Sequence, residues 1–197
     1  MLQPWIDVET TGLDEHNDLL LEVGIVVTDG LLGDCAEVFD FKIGVQYPDD
    51  AVDAVLASND YVRGMHTKSR LLEWLRMPEN VVPPQDLDAL LCAIGEAWAP
   101  DGCADKPPLA NFNAPFDRRW LSVWAPKFVA TRLHYRCFDL STLRATVEAV
   151  YPHGFGPAST ANVHRAVPDA RAAVLYWKWY RQHVMNPYGR HDVSEAQ

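Results

Sequence analysis

The apolar positions at the start of the chain alternate with polar ones instead of recurring at helical spacing. Trp5–Val8 is a short alternation and reads as a strand. Thr10–Leu13 and the polar stretch Asp14–Asp18 follow as a turn and loop. Leu19–Thr28 (LLLEVGIVVT) is β-rich and mostly apolar, which predicts a central strand. Asp29–Asp34 is a hairpin-type connection, and Cys35–Ile43 alternates again as a third strand. The chain should therefore open with three antiparallel strands.

The period then changes. Ala51 to Met77 reads as helix, with a break near Gly64, and Pro78–Asp86 reads as a loop. Apolar residues at Leu87, Leu90, Leu91, Ile94 and Trp98 predict a helix over Leu87–Trp98. Ala99–Pro108 is a loop and Leu109–Phe112 a short strand. Pro115–Val123 is helical, with proline near the first turn, where its missing N–H costs little. Tyr135–Asp139 reads as a strand, and Ser141 as the N-cap of a helix over Thr142–Val150. A Gly/Pro-rich loop over Tyr151–Thr160 precedes a closing helix, Pro168–Val184, and a polar tail at 186–197. Strands first, then alternating strand and helix, imply an α/β fold: a mixed central sheet flanked by helices in a single domain over 1–185.

Composition narrows the partners. The 197 residues are 48% hydrophobic and 22% charged, a globular profile. Seventeen Lys and Arg stand against 27 Asp and Glu, for a net charge of −10. That disfavours coating of long nucleic acid, which rests on many phosphate contacts. A nucleic-acid enzyme with a small local site is still compatible with it. The four cysteines, Cys35, Cys92, Cys103 and Cys137, form no C-x-x-C pair and read as reduced thiols of a cytoplasmic protein. No apolar run approaches the roughly 18 residues of a membrane-spanning helix. Structure begins so early that no targeting peptide is expected ahead of it.

Three polar elements could carry chemistry. Asp7 and Glu9 are two apart on a strand, so their carboxylates project from one face. Two anions held side by side repel unless a cation sits between them; alone, the pair reads equally as a solvated strand end. Asp117, in Asn113-Ala114-Pro115-Phe116-Asp117, falls on a helix after a short strand, beside Arg118 and Arg119. A local salt-bridge cluster is its ordinary reading. In His164-Arg165-Ala166-Val167-Pro168-Asp169, the proline puts His164 in a loop and Asp169 in a first helical turn, where a capping Asp is common.

Taken together and in this order, the three elements resemble the His-containing branch of the DEDD superfamily of 3′→5′ exonucleases. The matches are D-x-E at Asp7 and Glu9, N-x-x-F-D ending at Asp117, and H-x4-D from His164 to Asp169. Within that branch the chain looks most like oligoribonucleases, through WIDVETTGLD (Trp5–Asp14), His66-Thr67, and the H-Y-R-x-x-D-x-S-T-L run from His134 to Leu143. The resemblance implies a ribonuclease H-like fold and hydrolysis of short single-stranded RNA, with DNA as an alternative, to 5′-nucleoside monophosphates. It also implies a homodimer.

It further implies two Mg²⁺ ions, with Mn²⁺ as a substitute, held by Asp7, Glu9, Asp117 and Asp169. Mg²⁺ is hard and takes carboxylates and water, and two such ions about 3.5–4 Å apart can activate water and stabilise the leaving oxygen. His164 would be the general base, since an ordinary imidazole titrates near pH ~6.5. The implied substrate contacts are Thr10, Leu13 as a wedge against the terminal bases, Tyr61 stacking on a base, His66 along the substrate, and Asn113. Tyr135 would reach a partner's site, while Arg136, Ser141 and Thr142 would bind the 5′-terminal phosphate.

The chain departs from oligoribonucleases where they place N-S ahead of the third acid. Here Phe112-Asn113 stand there, in a form more like ribonuclease T and proofreading exonucleases. A broader 3′→5′ exonuclease on single-stranded RNA or DNA is therefore a second expectation. A catalytically dead nucleic-acid-binding module is a third, weakened because all five catalytic positions hold competent residue types.

Overall fold

The structure is a computed structural model, and it describes residues 1–32, 34–48, 50–151, 157 and 163–185. The three opening strands are β1 (Gln3–Thr10), β2 (Leu20–Thr28) and β3 (Glu37–Val45), paired antiparallel in sequence order. Helices α1 (Ala51–Leu56), α2 (Asp60–Lys68) and α3 (Leu71–Leu75) follow. A two-residue strand β4 (Val81–Val82) joins β3 in parallel and leads into α4 (Pro84–Gly95). Then come β5 (Leu109–Asn111), α5 (Ala114–Trp124), α6 (Pro126–Arg132), β6 (Cys137–Asp139), α7 (Leu140–Val150) and α8 (Ala166–Tyr180). The sheet order is β4-β3-β2-β1-β5-β6, with β5 parallel to β1 and β6 parallel to β5. This is the mixed α/β sheet that the strand-then-helix pattern implies.

The period of two along β1 and β2 divides the core. Ile6, Val8, Val23, Ile25 and Val27 bury one face beneath α4, α5 and α6, where Leu87, Leu91, Trp120, Leu121 and Phe128 pack. Trp5, Val26 and Ala110 bury the other face beneath Val167, Ala170, Ala173, Val174 and Trp177 of α8. β2 is buried along its whole length because helices cover both of its faces. Asp7 and Glu9 share the face of Trp5, so they lie on the α8 side of the sheet.

Several local expectations are corrected. Gly64 lies inside α2 and breaks nothing; the breaks fall at Ala57–Asn59, where Asn59 caps α2 by accepting from Val62 N at 3.2 Å, and at Arg70, whose φ is 59°. The loop expected over Pro78–Asp86 contains β4 and the first turn of α4. α6 is not expected from the apolar pattern, since Pro126 opens a new helix directly after α5. The third strand starts at Glu37 and not at Cys35, which has a left-handed φ of 46°. The cap of α7 is Asp139, whose carboxylate accepts from Ser141 N and Thr142 N; Ser141 is already helical. All four cysteines are free. Among the described residues no helix is long and apolar enough to cross a membrane. The polar tail and most of the Gly/Pro-rich loop lie outside the described residues.

Candidate active site

The site begins where β5 ends. β1 is paired with β5 at Trp5, but β5 is only three residues long and stops at Asn111. The backbone N–H of Val8 therefore needs another acceptor, and Asp117 Oδ1 of α5 supplies it at 3.0 Å. Asn111 closes the arrangement: its Nδ2 donates to Asp7 Oδ1 at 2.8 Å and approaches Asp117 Oδ2 at 3.4 Å. One amide thus bridges two of the four expected acids. Asn113, with a left-handed φ of 53°, turns the chain into α5 and donates its backbone N–H to Ser141 Oγ at 2.8 Å. Asn is among the few residues that adopt this conformation readily.

From the opposite side, the first turn of α8 brings in Asp169. One carboxylate oxygen each from Asp7, Glu9 and Asp169 lie within 4.8 Å of one another. Residues from β1 and α8, far apart in sequence, therefore meet. Asp117 stands just behind this trio, buried and turned toward Val8 and Asn111.

The electrostatics are those of crowded anions. Burial, with the neighbouring charges of Asp7, Asp169 and Glu22 added, pushes Glu9 up to about 9. Burial likewise raises Asp7, with Asp169 and Glu22 contributing and the Asn111 hydrogen bond opposing. Asp117 rises well above the usual carboxylate range through burial and the charge of Asp7. Asp169 is raised by burial, against the backbone N–H groups of Val163, Arg165 and His164. Such a set binds either protons or a cation. An all-oxygen donor set of this density suits a hard divalent ion.

His164 stands two residues ahead of α8, with a φ of 52°. It lines a groove of about 760 Å³ with Tyr61, Gly64, Met65, Lys68, Ser69, Arg70, Val163 and Arg165. A second groove, about 500 Å³, is lined by Asp7 and Asp169 with Asn111, Phe112, Ser141, Arg144 and Tyr176.

The residues expected to touch substrate divide into three groups. Tyr61 and Leu13 are exposed, at 79% and 78%, and Ser141 lines the second groove. Tyr135, 69% exposed, lies in a separate hollow with Lys106, Arg118 and His134, and Arg136 stacks over its ring at 5.2 Å. Thr10 and His66 are buried. The Thr10 hydroxyl donates to Gly12 O at 2.7 Å and the Thr10 carbonyl accepts from His66 Nε2 at 2.8 Å. His66 is fully buried behind them, its Nδ1 facing Glu9 Oε2 at 3.8 Å with no hydrogen-bond partner among the described residues. Burial lowers its proton affinity. These two side chains build the turn after β1 and back Glu9.

Sequence reasoning missed Asn111, Glu22 and Arg165. Glu22 carried a signal: a lone carboxylate inside LLLEVGIVVT must find a partner if that strand is buried. The partner, Arg165, is next to His164 in sequence.

No protein-family model matches the chain. Curated proteins do. The chain is 35% identical over 187 residues to an oligoribonuclease of Cutibacterium acnes, covering 93% of this chain and 86% of that protein. It is 29% identical over 181 residues to an oligoribonuclease of Azoarcus sp., covering 92% of this chain and 93% of that one. Among solved structures, the zinc-bound complex of Escherichia coli exonuclease I with single-stranded DNA matches with a TM-score of 0.63 at 12% identity. That match covers 93% of this chain and 41% of the longer protein. The likeness is one of fold, and the fold is ribonuclease H-like.

Proposed function

The chain belongs to the oligoribonuclease family, and on that premise we propose that it hydrolyses short single-stranded RNA from the 3′ end, releasing 5′-nucleoside monophosphates. The observation that carries the proposal is the convergence of Asp7, Glu9 and Asp169 within 4.8 Å, with Asp7 and Asp169 lining an open groove. Asp7, Glu9 and Asp169 would hold two Mg²⁺ ions, or Mn²⁺ in their place, with Asp117 as the fourth acid beside Asp7. Bound there, the ions supply charge neutralisation for the phosphodiester and acidify water.

The chain's own residues do the rest. His164 takes the proton of the attacking water, and its loop is held by backbone N–H donation to Asp169. Asn111 keeps Asp7 oriented, and Asp117 fixes the backbone of β1 beside it. Tyr61 offers a ring in one groove for a base, and Leu13 stands clear of the surface as a wedge. Ser141 in the other groove, with Thr142 and Arg136 nearby in sequence and Asn113 hydrogen-bonded to its hydroxyl, would receive the 5′-terminal phosphate. Tyr135, exposed in the single chain, would serve the site of a second copy in a homodimer working in the cytoplasm.

A broader exonuclease on single-stranded RNA or DNA is the second reading. Asn113 in place of the family's serine favours it, as does a fold shared with an exonuclease bound to single-stranded DNA.

The proposal is tested on 5′-labelled dinucleotide RNA. With Mg²⁺ the chain should convert it to mononucleotides. Excess EDTA should silence that conversion, and added Mg²⁺ or Mn²⁺ should restore it. Full turnover in EDTA would contradict the assignment.

A further inference from the structure

β1 and β2 are in register so that Asp7 faces Gly24 and Glu9 faces Glu22. Glu22 and Gly24 therefore lie on the same face as the proposed metal-binding acids, one strand away. That face is where α8 begins. Glu22 is fully buried, and its carboxylate accepts three hydrogen bonds from the start of α8. Arg165 Nη2 donates to Oε1 at 2.8 Å, Arg165 Nε to Oε2 at 3.1 Å, and the backbone N–H of Ala166 to Oε2 at 3.0 Å. On the outer side, the Arg165 guanidinium stacks on Trp74 at 5.0 Å. Gly24 completes the seat: a Cβ there would lie 2.4 Å from the carbonyl carbon of Ala166 and 2.5 Å from the nitrogen of Val167. Only a bare backbone lets α8 come this close.

The residues on either side of this seat carry the chemistry. His164, one position before Arg165, has a left-handed φ of 52°, a conformation that persists in a non-glycine residue only when its surroundings impose it. Asp169 lies one helical turn beyond, and its N–H donates to the carbonyl of Arg165 at 3.0 Å. The Arg165 backbone thus stands between the two groups, and Glu22 fixes it through both side chain and neighbouring N–H.

We infer that Glu22 is a positioning residue: through Arg165 and Ala166 it sets His164 and Asp169 in place against Asp7 and Glu9. It touches neither substrate nor metal. The inference rests on the reading of these acids and His164 as the reacting centre. Displacement of a reacting group by about 1 Å costs roughly 100-fold in rate, so a clamp with this role acts on turnover and not on affinity.

The test is Glu22→Gln in the full-length chain, assayed on dinucleotide RNA with Mg²⁺, with hydrogen exchange of the 163–169 amides measured in parallel. Glu22→Gln keeps the shape and removes the charge. The expected result is a kcat lower by roughly 100-fold, a KM close to that of the parent, and faster exchange at Ala166 and Asp169. Arg165→Lys, which keeps a cation but not the two-pronged geometry, should fall between parent and Arg165→Gln. If Glu22→Gln does not fold, Arg165→Gln removes the same contact from its partly exposed end.

A folded variant with parental kcat overturns the inference, whether or not its melting temperature drops. So does a loss expressed wholly in KM. A parent that cleaves no RNA would remove the proposed function instead, and unchanged exchange at Ala166 would still overturn the clamp.

Discussion

The two halves of the site are built in different ways. Asp7 and Glu9 stand on β1, which has a neighbouring strand on each side and a buried core beneath. Their direction follows from the pleat, and any chain that forms this sheet places both on one face. His164 and Asp169 have no such scaffold of their own. They arrive on a left-handed turn and a helix start, held against the sheet by Gly24, Glu22 and Arg165. One half comes with the secondary structure, while the other is assembled by contacts between residues more than a hundred positions apart. A lesion in the first half should therefore strike chemistry with little effect on stability. A lesion in the second should move both.

The largest effect is expected in the sheet half. Asp7→Asn should reduce kcat on dinucleotide RNA by at least about 1,000-fold, more than loss of a single preorganised hydrogen-bond donor costs. Its melting temperature should hold, because Asn111 still has an oxygen to donate to. A variant with near-parental turnover would remove Asp7 from the metal site. Asp117→Asn sharpens the comparison, since its amide oxygen can still accept from Val8 N. Activity lost in a folded protein makes Asp117 a ligand; activity kept makes it a support for β1 alone.

Gly24→Ala probes the helix half. The new methyl meets backbone atoms and not the flexible end of a side chain, so α8 must shift. A loss of about 1–3 kcal/mol is expected. It should be read as a melting temperature lower by roughly 2–4 °C per kcal/mol for a chain of this size, with turnover falling too. Unchanged melting and turnover would show that α8 does not sit where the structure has it.

The smallest effect is on pH dependence. The carboxyls of Asp7, Glu9 and Asp169 hold protons more tightly in the folded chain than in the unfolded one, with Glu9 reaching about 9. Their contribution to stability is complete below the ordinary carboxylate values and fades as pH climbs toward about 9. Metal-free protein should melt progressively lower between about pH 5 and pH 9. Glu9→Gln should flatten that slope, and Mg²⁺ should raise the melting temperature more at the alkaline end. A metal-free melting temperature that rises across this range would contradict the crowding of the three acids.

What could be read in the sequence follows the same division. β1 to β3 were visible because alternation marks a strand directly, and D-x-E on such a strand implies a shared face. Asp169 was visible because Pro168 marks the start of a helix. β4 was not, because two valines ahead of Pro83-Pro84 carry no period of their own. α6 was hidden by Pro126, which interrupts the apolar pattern while opening a new helix. Asn111 and Glu22 escaped for a different reason. Periodicity tells which face a side chain takes, not which partner it meets there. The partner of Glu22 lies 143 residues away and that of Asn111 104. Thr10 and His66 were marked by a motif, but their burial and the hydrogen bond between them carry no periodic signal.

The acidity of the chain, −10 overall, leaves room for a substrate with few phosphates and opposes a long basic track. The central claim is therefore one about length, and it is met most directly by comparing 5′-labelled RNAs of two, five and twenty nucleotides, with a matched DNA series, under Mg²⁺. The account predicts the highest kcat/KM for the RNA dinucleotide, falling with length and lowest for DNA. Equal rates on the twenty-nucleotide strand, or on DNA, would contradict it and establish the broader exonuclease in its place.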